Sequence, residues 1–243
     1  MTNRQEVLLA SVINEYIGTA EPVSSKFIEK LGFFGLSSAT IRAEMNELED
    51  SGYFNQPHTS SGRIPTDRAY RYFLDNLIEP ENCEIGFECK RKINNTLRGI
   101  GNDPREINKI IAQLLSDLSN NLVITNVLEQ SEFYKIGLSS LFEMPEFREF
   151  DRAFKLTSFF DEFESMFALI EKEFFSDDFK VFIGRENPVK NVKDETVMFA
   201  KYSLPDNLTG SLTLVGPTRM DYGRNIGLIK YTTGELNKLI KHI

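Results

Sequence analysis

The chain contains no tryptophan, two cysteines and two histidines among its 243 residues. Cys83 and Cys89 lie in a polar stretch, and His58 and His242 are far from them in sequence. Structural zinc sites combine such ligands at short, characteristic spacings, which this chain lacks. The sequence therefore predicts reduced thiols, no metal site and no cofactor.

Long apolar runs are also missing. The most apolar stretch near the start, "VLLASVINEYI", is interrupted by Asn14 and Glu15. A membrane helix needs roughly eighteen or more apolar residues in succession, and a signal peptide needs an uninterrupted apolar core. We therefore expect a cytoplasmic protein without a membrane segment.

Basic residues are not in excess, because 28 lysines and arginines stand against 36 aspartates and glutamates, for a net charge of −8. A protein coated with phosphate-binding charge would be basic. Any nucleic-acid surface must therefore be confined to a small region. The length allows one or two domains.

Three short helical patterns open the chain. The first begins at a capping box, the second ends at Gly32, and the third runs from an N-cap at Ser37 to near Gly52. Two proline-containing segments, "YFNQPH" and "RIPT", flank the turn "TSSG" as edge strands, and a helix capped by Thr66 follows. This order of elements predicts a winged helix-turn-helix domain over residues 1–80.

The third helix has two distinct faces. Ile41, Met45 and Leu48 recur at helical spacing and are expected in the core. The opposite face combines small residues with hydrogen-bonding ones, namely Ala39, Thr40, Arg42, Ala43 and Asn46. Such a face fits a major groove, where Asn suits adenine and Arg suits guanine, although an ordinary solvated helix face would look the same.

The predicted hairpin carries the side chains of a phosphate-contacting loop. We expect His58, Thr59, Ser60, Ser61 and Arg63 to be exposed there, with Gly62 supplying the turn. Arg68 and Arg71 follow in the next helix. Acidic residues are as frequent as basic ones in this segment, so composition alone does not decide for DNA binding.

The remaining chain predicts a helical linker over residues 81–103 and an α+β domain over residues 104–243. A helix begins at Asp103, Pro104 and Glu106. The segments "LVITNVL", "FKVFIG", "TVMFAKYSL" and "GSLTLVG" are typical of strands, and an amphipathic helix ends the chain. Their alternation with helices favours a mostly antiparallel sheet.

Several segments resemble the HrcA family of heat-shock transcription repressors. They are "EPVSSK", "LSSATIRAEMNELEDSGYFNQPHTSSGRIPTDRAYRYF", "GLSSLFEMPEF" and "LVGPTRMDYGR". The resemblance implies a winged-helix repressor with a GAF-like second domain. It also implies binding to double-stranded DNA at an inverted-repeat operator ahead of chaperone operons, as a homodimer that a GroE-type chaperonin keeps competent. The residues that it implies for DNA binding are Ser38, Ala39, Thr40, Arg42, Ala43, Asn46, His58, Thr59, Ser60, Ser61, Arg63 and Arg71.

The chain departs from the family pattern in one large respect. Only "EQSE" separates "LVITNVL" from "FYKIG", where family members carry further strands and an inserted dimerising module. We therefore expect that module to be missing near residues 129–133. Smaller departures are Ser24 and Ala69 in place of the usual glycine and Ser61 in place of the usual alanine.

Two other functions remain open at this point. A winged-helix regulator could sense a small-molecule effector in its GAF-like domain, although the polar residues available for this also fit caps and ion pairs: Arg185, Glu186, Arg219 and Asp221. An enzyme could use Asp161, Glu162 and Glu164. These acids lie on an amphipathic pattern with core-like phenylalanines, which favours a solvated face, so we expect no enzyme.

Overall fold

The computed structural model describes residues 1–32, 34–79, 83–128, 130, 132–174 and 177–240, and the side chains of residues 168–174 are not included. The chain divides into two compact units. The first unit comprises Met1–Asn82 with Arg219–Asp221, and the second comprises Cys83–Thr218 with Tyr222–Ile243.

The first unit contains three helices, a hairpin and a fourth helix. The helices are α1 (Asn3–Thr19), α2 (Ser25–Leu31), α3 (Ser38–Asp50) and α4 (Asp67–Tyr72), which continues into a π-helical turn at Phe73–Leu77. Strands β1 (Phe54–Asn55) and β2 (Ile64–Pro65) pair antiparallel between α3 and α4. The strands are shorter than the segments predicted from sequence, and Pro65 lies within the ladder, opposite Phe54.

Local capping explains where these helices begin. Thr2 Oγ1 accepts from the backbone N–H of Gln5 at 3.2 Å, and Gln5 Oε1 accepts in return from the Thr2 N–H at 3.0 Å. Ser37 and Thr66 cap α3 and α4 through their hydroxyls. The predicted capping box and both N-caps are confirmed, because each depends on neighbouring residues only.

The core of the first unit is formed by the apolar stripes of its helices. Its buried side chains include Leu8, Leu9, Val12, Ile13, Ile28, Ile41, Met45, Leu48 and Phe54. The prediction that one face of α3 packs inward is therefore confirmed.

The second unit is an α+β fold built on one antiparallel sheet. Its helices are α5 (Phe87–Arg98), α6 (Pro104–Ser119), α7 (Leu138–Phe142), α8 (Phe150–Phe174) and α9 (Tyr222–Ile240). Its strands are β3 (Leu122–Val127), β4 (Phe133–Ile136), β5 (Phe179–Ile183), β6 (Glu195–Ser203) and β7 (Thr209–Pro217). They lie in the order β4-β3-β7-β6-β5, and every pair is antiparallel.

Helices cover both faces of this sheet. One face packs against α8 through a phenylalanine-rich core that includes Phe159, Phe163 and Phe199. On the other face, Thr125 of β3 donates to the backbone oxygen of Asn108 in α6 at 2.8 Å. The alternation of inward and outward residues along each strand sends successive side chains to the two layers.

Two features of the second unit differ from the sequence-based expectation. Helix α5 is part of this unit rather than a linker, and Asn94 Nδ2 donates to Tyr231 Oη of α9 at 3.0 Å. Strand β4 was not predicted, yet it pairs with β3. The position expected for the missing module, residues 129–133, includes Glu129 and Ser131, which lie outside the described residues.

A buried carboxylate stands at the start of β6. Glu195 is 2% exposed and receives hydrogen bonds from Arg152 Nε and Nη2 at 3.0 Å each. Burial raises the pKa of Glu195 to about 7, although the charge and hydrogen bonds of Arg152 act in the opposite direction.

Candidate nucleic-acid interface

Half of the predicted contact residues lie on α3. Ala39, Thr40, Arg42, Ala43 and Asn46 are exposed, and Ser38 is half-buried. Residues four positions apart share a helix face, so Arg42 and Asn46 lie side by side, as do Ala39 and Ala43.

Three of the four carboxylates of α3 contact other residues. Glu44 is buried and forms an ion pair with Arg4 of α1. Glu47 Oε2 accepts a hydrogen bond from Gln5 Nε2 at 3.0 Å. Ion pairs therefore neutralise Glu44 and also Glu49, which lies 2.8 Å from Arg63, whereas Glu47 and the exposed Asp50 keep their charge.

The hairpin loop, residues 56–63, is held by its own hydrogen bonds. The Ser61 N–H donates to the His58 oxygen at 2.9 Å, and Ser61 Oγ accepts from the His58 N–H at 3.0 Å. Gln56 Nε2 donates to the backbone oxygens of Thr59 and Ser61 at 3.1 and 3.0 Å. The side chains of His58, Thr59 and Ser60 are exposed, whereas the Ser61 hydroxyl is occupied inside the turn.

The expectation that Arg63 is an exposed cation is wrong. Arg63 is 8% exposed, and its Nη2 donates to Asn46 Oδ1 at 2.6 Å. Its Nε lies 2.8 Å from Glu49 Oε2, an ion pair in which the N–H does not point at the carboxylate. The backbone of Arg63 bridges to Val23 in both directions, at 2.8 and 2.9 Å, and this bridge fixes the position from which the side chain reaches α3.

Gly62 is required for close approach rather than for the turn. An added Cβ would lie 2.4 Å from the carbonyl carbon and oxygen of Val23, nearer than any real contact. Its φ is not in the left-handed region, so the conformational freedom expected from sequence is not used.

The first unit contains a cleft of about 500 Å³. It lies between the start of α2, the outer face of α3 and the hairpin loop. Of the predicted residues, the cleft is lined by Arg42, Asn46, Thr59, Ser60, Ser61 and Arg63. Arg71 lies elsewhere, on α4, where it is half-buried and pairs with Asp75 at 3.2 Å.

The lining residues that were not predicted from sequence include the polar residues Ser24, Lys26 and Gln56. Lys26 is an exposed cation at the rim of the cleft. Ser24 and Lys26 are distant from the hairpin in sequence, and the bridge between Val23 and Arg63 brings them to it, whereas Gln56 belongs to the hairpin loop itself.

The residues considered for an effector site are divided between the two units. Arg185 and Glu186 belong to the second unit, whereas Arg219 and Asp221 belong to the first. Glu186 Oε2 accepts from the Ile183 N–H at 2.9 Å, as a capping residue does.

The acids considered for catalysis are spread along an exposed face. Asp161, Glu162 and Glu164 are exposed on α8, and Glu164 pairs with Lys135 at 3.1 Å. Within the described part of the chain, no group of three His, Cys, Asp or Glu side chains could hold a metal ion. His242 lies outside that part. Among the described helices, none is long and apolar enough to cross a membrane.

Residues 69–226 match the family model described as HrcA protein C terminal domain. The chain belongs to the HrcA family. It is 27% identical over 340 aligned positions to the heat-inducible transcription repressor HrcA of Clostridium tetani, covering 99% of this chain and 96% of that one. The HrcA repressor of Brevibacillus brevis is 26% identical over 338 positions, with 99% and 98% covered.

These alignments and one solved structure bear on chain length and on fold, respectively. They extend over 340 and 338 positions whereas this chain has 243 residues, so both HrcA relatives contain segments without a counterpart here. A crystal structure titled as a hypothetical protein superimposes with a TM-score of 0.81 at 20% identity, over 100% of this chain and 99% of that one. This likeness shows the fold alone.

Proposed function

We propose that this HrcA-family protein is a heat-inducible transcription repressor whose first unit is a winged helix that binds double-stranded DNA. The observation that carries the proposal is the cleft shared by α3, the start of α2 and the hairpin loop. Helix α3 offers an exposed face with one arginine, and two of its carboxylates, Glu44 and Glu49, form ion pairs with Arg4 and Arg63.

In this proposal, α3 enters the major groove. Ala39 and Ala43 permit close approach of the helix, while Arg42 and Asn46 reach base edges. The exposed side chains of the hairpin loop, His58, Thr59 and Ser60, contact sugar and phosphate oxygens, which fix register without reading sequence.

The operator is an inverted repeat ahead of chaperone operons, read by a homodimer. Two half-sites must be held about 34–36 Å apart or at a multiple of that spacing, so the dimer is two-fold symmetric. Without the inserted module, the second unit supplies the contact. Phe150 and Phe154 on α8 support this, because they are 78% and 62% exposed and stack on each other.

Modulation by a GroE-type chaperonin and a cytoplasmic location complete the proposal. The chaperonin is what the resemblance to the HrcA family implies, and the location is the expectation from the sequence.

Binding of Arg42→Ala to duplexes from upstream of chaperone operons tests the function. Loss of one base contact should cost about 1–3 kcal/mol of specific binding. Arg98→Ala, which removes an exposed arginine of α5, is the matched control and should bind as the parent does. Equal operator affinity of Arg42→Ala and parent, with equal melting, would show that α3 does not read the operator.

Sedimentation velocity with and without operator tests the two-fold arrangement. The expected species on a full inverted repeat contains two chains. A chain that is monomeric at every concentration and binds the full repeat no better than a half-site would contradict the homodimer.

A further inference from the structure

The amide of Asn46 has a fixed orientation. Its Oδ1 accepts a hydrogen bond from a guanidinium nitrogen, Arg63 Nη2, at 2.6 Å. A guanidinium group carries donors and no acceptor, so the atom that faces it must be Oδ1 and not the amide nitrogen. The usual ambiguity between the two ends of an asparagine amide is therefore resolved by the chemistry of its partner.

Arg63 is itself held in place from two sides. Its backbone is bridged to Val23, and its Nε lies against the Glu49 carboxylate at 2.8 Å. The side chain is 8% exposed, so a rotation away from Asn46 would break both polar contacts in a confined space. The Asn46 oxygen thus remains turned toward Arg63.

The other end of the amide is available to a ligand. Asn46 is exposed and lines the cleft beside Arg42. Among the described residues, none accepts a hydrogen bond from Asn46 Nδ2. An amide nitrogen carries two hydrogens, so it can donate two hydrogen bonds, and it accepts no hydrogen bond.

We infer that Asn46 reads DNA as a fixed hydrogen-bond donor, and that Arg63 is the positioning residue that sets this polarity. The inference rests on the proposed function. Asparagine recognises adenine through both ends of its amide, accepting from N6 and donating to N7. Arg63 takes one of the two lone pairs of Oδ1 and turns that oxygen toward the hairpin, so Nδ2 is the end of the amide that meets a base. Asn46 then selects a base-edge acceptor: a purine N7, guanine O6 or thymine O4. This replaces the adenine preference expected from residue type alone.

The inference can be tested with base analogues in the duplex that the parent protein selects from a random pool. Acceptors are deleted one position at a time with 7-deazapurines, with 2-aminopurine for guanine and with 5-methyl-2-pyrimidinone for thymine. Donors are deleted with purine for adenine and 2-pyrimidinone for cytosine. Each duplex is titrated with the parent and with Asn46→Ala. The two proteins, each with the natural base and with its analogue, form a double-mutant cycle.

We expect one acceptor deletion in each half-site to weaken DNA binding by the parent roughly tenfold, which corresponds to about 1.4 kcal/mol. The same deletion should leave DNA binding by Asn46→Ala unchanged. No donor deletion should couple to Asn46. Asn95→Ala, which removes an exposed asparagine of α5, is the matched control and should couple to no analogue. Coupling of Asn46 to adenine N6, or to no analogue, overturns the inference.

Arg63→Lys tests the positioning role. A single ammonium cannot hold Asn46 and Glu49 in the geometry of a guanidinium fork. The coupling between Asn46 and its acceptor should therefore fall severalfold in Arg63→Lys, at a salt concentration where the parent is specific. An undiminished coupling removes Arg63 from the role, and if this variant does not fold, the Asn46 cycle alone decides the donor assignment.

The outcomes separate the inference from the function on which it rests. If the parent selects no preferred duplex from the pool, the proposed function fails. If it selects one, but Asn46 couples to a donor deletion or to none, the function stands and the inference fails.

Discussion

Replacing Arg63 by alanine tests the buried ion pair most directly. The change removes the hydrogen bond to Asn46 at 2.6 Å and the ion pair with Glu49 at 2.8 Å. Breaking a fully buried pair costs about 3–5 kcal/mol. The Glu49 side chain is 31% exposed and Asn46 is exposed, so both can be rehydrated, and we expect a loss of about 2 kcal/mol.

Calorimetry of the full chain measures this loss. For a unit of this size, about 2 kcal/mol lowers the melting temperature by roughly 8–16 °C. Glu49→Gln in the Arg63→Ala background removes the unpaired charge, so the double variant should recover part of the stability. The backbone bridge to Val23 is unchanged by both substitutions.

Binding to a random duplex supplies the second readout. Since Arg63 is buried and neutralised by Glu49, it contacts no phosphate, and the slope of log K against log salt should not change in Arg63→Ala. The reasoning is refuted if the variant melts like the parent and the slope becomes shallower by about 0.9, the value for one lost phosphate contact.

Three further changes probe other parts of the structure. Lys26→Ala should weaken binding to any duplex and reduce the slope of log K against log salt by about 0.9. Lys30→Ala on the same helix is the control and should change neither quantity. Equal effects of the two substitutions would exclude the cleft rim as a phosphate site. Gly62→Ala should destabilise the first unit by roughly 1–3 kcal/mol, because its Cβ would lie 2.4 Å from backbone across the bridge. A Cβ added at Gly18, in α1, would meet nothing within 4 Å, so Gly18→Ala should stabilise the first unit by roughly 0.5–1 kcal/mol. Urea titrations measure both free energies of unfolding, and changes of the same sign would contradict the packing. The pKa of Glu195 is raised to about 7 from 4.5, so its stabilisation is present below pH 4.5 and is lost as the pH rises through 7. Between pH 5.5 and 8, the free energy of unfolding of the second unit should fall by roughly 2 kcal/mol in the parent and not in Glu195→Gln. Parallel profiles of unfolding free energy against pH for the two proteins would contradict the raised pKa.

Features that depend on neighbouring residues were predictable from sequence. The caps at Thr2, Ser37 and Thr66 use a side chain and a backbone group three positions away. The apolar stripe of α3 follows from helical spacing. Strand β4 escaped prediction because its four residues are all half-buried and show no alternation, so only its pairing with β3 defines it.

The role of Arg63 could not be predicted from residue type. An arginine beside serines and a glycine is typical of a phosphate-contacting loop, and that was the expectation. What turns it inward is a backbone bridge to Val23, a residue 40 positions earlier, together with Glu49 on another element. Long-range contacts of this kind leave no periodic signal in the sequence.

The same long-range pairings reconcile an acidic chain with a surface for DNA. A net charge of −8 argues against nucleic-acid binding only if the charges act together. At physiological salt the Debye length is about 8 Å, so a phosphate senses the charges in its immediate surroundings. On α3 those surroundings are set partly by tertiary contacts, since Glu44 forms an ion pair with Arg4 and Glu49 forms one with Arg63. Arg42 and Lys26 are left as exposed cations bordering the cleft, which is the local charge pattern that the proposed function requires.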